Sequence, residues 1–440
     1  MTTPATNTQN ISLWQALGFW LKLGFISFGG PAGQIAIMHQ ELVVKRQWIS
    51  ERRFLHALNY CMMLPGPEAQ QLATYLGWLM HRTWGGIVAG ALFVLPSLLI
   101  LITLSWVYLA YGDVALVAGL FYGIKPAVAA IVLHAVHRIG SKALKNSLHW
   151  ALAAAAFVAI FALHVPFPAI VAGAALAGFL GGRYAPDAFN ANTQNNADEL
   201  PDDGPRPAHT FFTLGKLIRI IVIGALLWIL PMLALVAFYG WEHTYSQMAW
   251  FFTKAALLTF GGAYAVLPYV YEGAVNYYSW LTPVQMIDGL ALGEATPGPL
   301  IMVVAFVAFI GGYINEVFGP EQLFLAGAVA AIIVTWFTFL PSFLFILGGG
   351  PLVESTHGNL KFTAPLTGIT AAVVGVILNL GLYFIYHVIW PAGFAAAIDW
   401  VALSITVAAV VALFVFHRGV ITVLISCGLL GLASQWLLGA

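Results

Sequence analysis

The sequence predicts an all-α polytopic membrane protein made of two repeats of inverted topology, each containing broken, re-entrant helical hairpins. Three observations carry that prediction. The chain of 440 residues is 61% hydrophobic and 8% charged, with a mean hydropathy of +0.88, whereas soluble domains carry about 25% charged residues. Its halves also align on each other: Lys22, Phe28–Gly30, Trp48 and Pro65–Pro67 recur as Lys254, Phe260–Gly262, Trp280 and Pro297–Pro299, all displaced by 232 positions. Finally, proline and glycine interrupt apolar segments at matching places in both halves, so these segments cannot be continuous helices.

The elements run in order. The first ten residues, MTTPATNTQN, are polar, without a basic n-region or cleavage site, so no cleaved signal is expected. Residues 12–44, around Phe28–Gly29–Gly30–Pro31, and 51–80, around Pro65–Gly66–Pro67, divide into arms of about 14–17 residues, which suit half-helices better than full spans. Each is expected to enter and leave the membrane on one side. Stretches 84–111, 114–137, 148–164 and 166–182 are long enough to cross. Residues 183–210, rich in Asn, Asp and Pro, read as a soluble linker. Segment 217–239 then crosses once, and that single crossing inverts the second half. The second half repeats the plan, with an insertion near 315–325 that moves the register to 245 and pairs Leu95–Pro96–Ser97 with Leu340–Pro341–Ser342. The expected total is about 9 full spans plus 4 hairpins, or 12–13 apolar segments. Domain limits are a first repeat over 1–183, a cytoplasmic linker over 184–212, a connecting helix over 213–240 and an inverted repeat over 241–440.

Charge sets the orientation. The loop 43–53 holds four basic residues, while its counterpart 275–283 holds none. By the positive-inside rule the halves face opposite ways, with the N-terminus and linker cytoplasmic and the C-terminus periplasmic. A formal net charge of +0 disfavours nucleic acid as a partner. Cys61 and Cys427 are far apart in sequence, and no P-loop, Ser-His-Asp or HExxH pattern occurs. Neither an enzyme nor a cofactor is expected.

Broken backbone at membrane depth must be buried in protein or line a watery cavity, because lipid offers it no hydrogen-bond partner. Paired breaks in inverted repeats are the usual plan of transporter binding sites, and half-helix N-termini suit anions. The candidate binding residues are therefore Phe28, Gly29, Gly30, Pro31, Pro65, Gly66 and Pro67, with Gly261, Gly262, Pro297, Gly298 and Pro299 in the second half. Lys22 and Lys254, at equivalent positions inside apolar segments, suit a doubly charged oxyanion, since a lysine at mid-depth costs at least roughly 2.5–3.5 kcal/mol. Gln70 and Gln71 offer neutral hydrogen bonds. Glu68 and Glu294 flank the two Pro-Gly-Pro breaks at positions that do not correspond, and are candidates for proton coupling.

FGGPAGQIAIMHQELV, MLPGPEAQQLATYLGW, TFGGAYAVLPYV and ATPGPLIMVVAFVAFIGGY resemble the signature regions of the chromate ion transporter family in its long, two-domain bacterial form. The resemblance covers nearly the whole chain outside the linker and termini. It implies export of chromate across the inner membrane, with sulfate as a related oxyanion, and places the family's motifs on Phe28 to Pro31 and on Pro65 to Glu68, Gln70 and Gln71. In the second half Ala263 and Leu300 replace Pro31 and Glu68, so the first half is expected to carry more of the substrate contacts. The residues themselves leave uptake or a channel open for sulfate or a similar dianion, and allow a homodimer.

Overall fold

Helix ends in the computed structural model fall where the sequence carries caps and breakers. Ser12 and Ser50 accept hydrogen bonds from the Gln15 and Arg53 N–H groups at the starts of α1 (Leu13–Ile26) and α3 (Glu51–Met63), and Thr282 does the same for Gln285 at the start of α12 (Pro283–Ala295). The structure describes residues 11–28, 30–112, 114–189, 207–356, 363–395 and 397–438. Gly29 and the linker residues 190–206 lie outside them. Among the described residues all regular structure is helical.

The remaining first-half helices are α2 (Gly30–His39), prolonged by a π-helical turn (Gln40–Lys45), α4 (Glu68–Tyr111), α5 (Ala115–Ala143), α6 (Ser147–Phe161), α7 (Phe167–Tyr184) and the short α8 (Pro186–Phe189). After α9 (Leu214–Tyr239) come α10 (Thr244–Leu257), α11 (Ala263–Tyr271) with its own π turn (Glu272–Tyr277), α12, α13 (Val303–Ile314), α14 (Leu323–Thr356), α15 (Thr363–Ile389), α16 (Trp400–Phe414) and α17 (Val420–Leu438). The two π turns and the pair α3 and α12 begin and end 232 positions apart. Seven described helices, α4, α5, α7, α9, α14, α15 and α17, are long and apolar enough to cross a membrane. At the two other places where the sequence predicts crossings stand α6 and α16, of 15 residues each, or about 22 Å. The first of these stops at Phe161, and Pro166 and Pro168 open the helix that follows.

Contacts across the breaks define hairpins. The Tyr60 and Tyr75 rings lie 5.8 Å apart, whereas one straight helix would separate these residues by about 22 Å. So α3 and the first arm of α4 run side by side, joined by Pro65–Gly66–Pro67. The same helix run then bends at His81 and Arg82, whose backbone is non-helical, and doubles back so closely that a Cβ on Gly77 would meet Ala89 at 2.5 Å. In the second half Gly289 lies against Phe306 across Pro297–Gly298–Pro299, and Gly312 lies against Ala330 across the next turn. Around the earlier break, Phe251 stacks on Tyr269 at 4.8 Å.

The halves are interleaved through their later helices. In one direction α5 packs on α16 and α17, and in the other its counterpart α15 packs on α6 and α7. Glycine permits both approaches. A Cβ on Gly123 would stand 1.9 Å from the Cys427 carbonyl oxygen, and one on Gly368 would stand 2.5 Å from that of Ala174. Gly123→Leu and Gly368→Leu are each expected to destabilise the detergent-purified protein by at least about 1–3 kcal/mol, read as earlier loss of monodispersity on heating. Gly173→Leu, where a side chain meets nothing within 4 Å, should behave like the unsubstituted chain.

Candidate functional site

The tips of the hairpins from the two halves meet. The Gly298 N–H donates to the Ser27 carbonyl oxygen (2.8 Å), and the Gly66 N–H donates to that of Thr259 (2.7 Å). Because Thr259 stands 232 positions after Ser27 and Gly298 the same distance after Gly66, the two bonds are counterparts under the repeat. Serines complete the pattern: a Cβ on Gly66 would lie 2.5 Å from the Ser342 hydroxyl, and one on Gly298 would lie 2.6 Å from Ser97 Cβ. With φ of 126° and 110°, these two positions need glycine for both conformation and space.

Side chains then break the symmetry. Gln34 Nε2 donates to the Ser27 carbonyl oxygen (3.2 Å) and to that of Gly298. Gln71 Nε2 donates to the Pro65 carbonyl oxygen (2.8 Å) and the Ser342 hydroxyl (3.4 Å), and Gln70 Nε2 donates to Thr74 Oγ1 (3.0 Å). Ser27 Oγ and Ser97 Oγ are buried here without a hydrogen-bond partner among the described residues. Buried polar groups left open in this way mark where water or a polar solute belongs.

Beside the crossing is a narrow cleft lined by Gly30, His134, Arg138, Tyr264 and Glu294. Gly30 and Pro31 open α2, so the positive end of that helix faces the cleft. Arg138, near the end of α5, brings its Nη2 within 3.8 Å of where a Gly30 Cβ would stand. Glu294 is buried, accepts a hydrogen bond from the Tyr264 hydroxyl and feels the charge of Arg138. Two positive features thus converge on one carboxylate and one hydroxyl donor around a space of about 10 Å³, room for a water at most, so an oxyanion enters only by displacing the carboxylate.

The "Chromate transporter" family model matches residues 14–179 and 246–432, two segments whose first residues stand at the repeat offset of 232. The chain belongs to the chromate transporter family. It is 30% identical to the chromate transport protein of Cupriavidus metallidurans over 83% of this chain and 81% of that one. To the chromate transport protein of Pseudomonas aeruginosa it is 32% identical over 82% and 79% of the two chains. The probable chromate transport protein of Synechococcus elongatus is 28% identical over 83% of each. No solved structure matches. The protein is therefore a multi-pass membrane protein that carries chromate, an oxyanion, across the membrane.

In this chromate transporter the predicted residues fall into five groups. Gly30 and Glu294 line the cleft, and Pro31 continues from Gly30 into α2. Pro65, Gly66, Pro67, Gln70, Gln71, Pro297, Gly298 and Pro299 build the crossing, where the N–H groups of Gly66 and Gly298 are engaged by the opposite half rather than open to a ligand. Phe28, Gly261 and Gly262 are half-buried at the other breaks; Gly29 lies outside the described residues. Lys22 is exposed on α1, and the Lys254 ammonium sits over the Trp250 ring at 5.7 Å. Glu68 is half-buried in the first turn of α4, and the cation acting on it is Lys142, one turn beyond Arg138 on α5. The end of α5 therefore faces both glutamates that the sequence singles out.

Arg138 and Tyr264 are not among the residues that the sequence predicts for the site. In the sequence Arg138 sits in the basic run Arg138–Lys145 and reads as part of a loop. The available signal is His134 and Arg138 at i and i+4, which share one helix face. Asp288 is a third residue without a sequence-predicted role. Its Oδ2 accepts from the Tyr108 hydroxyl at 2.8 Å and lies 3.6 Å from Lys125 Nζ.

Proposed function

We propose that the protein exports chromate from the cytoplasm across the inner membrane by alternating access of two inverted repeats around the crossed hairpins. In this reading the repeats occupy 1–183 and 241–440, and the loop charges put the N-terminus and linker in the cytoplasm and the C-terminus in the periplasm. The observation that carries the reading is the cleft in which Arg138 and the start of α2 face Glu294 and Tyr264. A dianion and a charged Glu294 compete for the same guanidinium, and at close range their repulsion is prohibitive. Chromate binding therefore takes up one proton on Glu294. Proton and dianion leave together with a net negative charge, so the membrane potential, negative inside, drives export. Sulfate, with the same charge and tetrahedral shape, competes at this site.

Labelled chromate uptake into inverted vesicles tests the reading. Accumulation is expected when a potential positive inside those vesicles is imposed with potassium and valinomycin, and not when a pH gradient acidic inside is imposed alone. Accumulation driven by that pH gradient with the potential clamped would overturn it and establish exchange against protons. Topology is checked by cysteine substitution at Gln47 and Asn276, expected to label from opposite faces of the membrane. Both native cysteines are buried, which keeps the background low.

A further inference from the structure

Away from the crossing, a cavity of about 1110 Å³ runs between α9 and the wall formed by α4 and α14. Its composition is graded. At the end next to the bend of α4 stand Arg82, Lys216 and Arg219, all exposed and without an ion-pair partner among the described residues. His209 joins them: its Nε2 lies 3.0 Å from the Trp78 carbonyl oxygen, and it feels the charges of both Arg82 and Lys216. Beyond these residues the lining is mainly apolar, with Leu98, Ile223, Leu227, Phe339, Leu344 and Trp84, and Thr83 and Thr335 as its polar members.

We propose that this cavity binds an acidic phospholipid, whose phosphate is held by Arg82, Lys216 and Arg219 and whose acyl chains lie along α9. Charge and shape both point to a lipid. A water-soluble anion would leave the apolar wall uncovered, and an apolar peptide would leave three cations unpaired in a low-dielectric mouth. The dimensions agree as well. Lys216 to Leu227 spans about 16 Å of α9, close to the roughly 15 Å depth of one leaflet's hydrocarbon. Of the transmembrane helices α9 has most need of such a filler, since its packing is confined mainly to α10 and α14 and only Gly224 and Met232 along it are buried.

The test is native mass spectrometry of the full-length protein, purified in detergent and equilibrated with equal phosphatidylglycerol and phosphatidylethanolamine. The wild-type protein should retain phosphatidylglycerol preferentially. Arg82→Gln, Lys216→Gln and Arg219→Gln should each reduce that preference about fivefold, the equivalent of about 1 kcal/mol per cation beside an anionic headgroup, and the triple variant should abolish it. Ile223→Trp, which fills the groove and leaves the cations in place, should reduce retention of both lipids. Should the triple variant fail to purify as a monodisperse species, the single substitutions decide. The proposal is overturned if the wild type shows no preference, if the substitutions leave the preference intact, or if Ile223→Trp retains phosphatidylglycerol like the wild type, which would place the headgroup on a charged surface outside the groove.

Discussion

Arg138→Ala is expected to lower chromate affinity by about 100-fold or more and to remove transport at working concentrations. The expectation rests on where the guanidinium stands. It stands half-buried next to the start of α2 and acts on the buried Glu294, and removing the partner of a desolvated ligand charge costs about 2–5 kcal/mol, of which about 3 kcal/mol is a 100-fold loss. Arg138→Lys should restore only part of the affinity, because an ammonium cannot match the planar, two-pronged geometry with which arginine grips an oxyanion. Direct binding of labelled chromate to purified, monodisperse protein is the measurement. Wild-type affinity in Arg138→Ala would remove the cleft as the binding site and return attention to Lys22 and Lys254.

Glu294→Gln should have the opposite effect on binding and a damaging one on turnover. A neutral amide in place of the carboxylate leaves Arg138 uncompensated until the dianion arrives, so affinity should rise. More tellingly, the pH dependence should vanish. Over a range in which chromate itself stays a dianion, wild-type binding should weaken as pH rises, by up to about tenfold per unit if one proton is taken up with each anion, while the glutamine variant stays flat. Turnover should fall because the anion is released slowly once no carboxylate competes for the guanidinium. Equal pH slopes in the two proteins would assign the proton elsewhere, with Glu68 beside Lys142 and Asp288 beside Lys125 and Tyr108 as the next groups to replace. Glu68→Gln serves as the comparison in the same experiment.

Most of the fold is legible in the sequence, for a physical reason. The breakers that interrupt the apolar runs are local features, and an ungapped register that carries Phe28–Gly30 onto Phe260–Gly262 and Pro65–Pro67 onto Pro297–Pro299 reports repetition directly. The π turns at Gln40–Lys45 and Glu272–Tyr277 have no such signal, because nothing in composition separates them from ordinary helix. The site is half legible. Glu294 and Gly30 stand out as a charge and a breaker within apolar sequence, whereas Arg138 looks like loop charge unless α5 continues to Ala143 and delivers it to the cleft. Tyr264 has no signal at all, since an aromatic residue in an apolar helix is commonplace until its hydroxyl meets a carboxylate. Asp288 is a different miss. Of the two acids in MIDGLALGEA, Asp288 is as conspicuous by cost as Glu294, but its partner Lys125 lies in the other half and is found only by packing.

The two counterpart hydrogen bonds at the hairpin tips also bear on how the molecule is made. Gly66 is synthesised long before Thr259, and Ser27 longer still before Gly298, so the first half leaves the ribosome with a tip it cannot close. Until the second half inserts, the Gly66 N–H and the Ser27 carbonyl oxygen must be held by water or by each other's neighbours, at a depth where lipid supplies nothing. The first repeat on its own is thus an unfinished chain awaiting its template, and the joining segment between the halves keeps that template at high effective concentration until the clasp shuts.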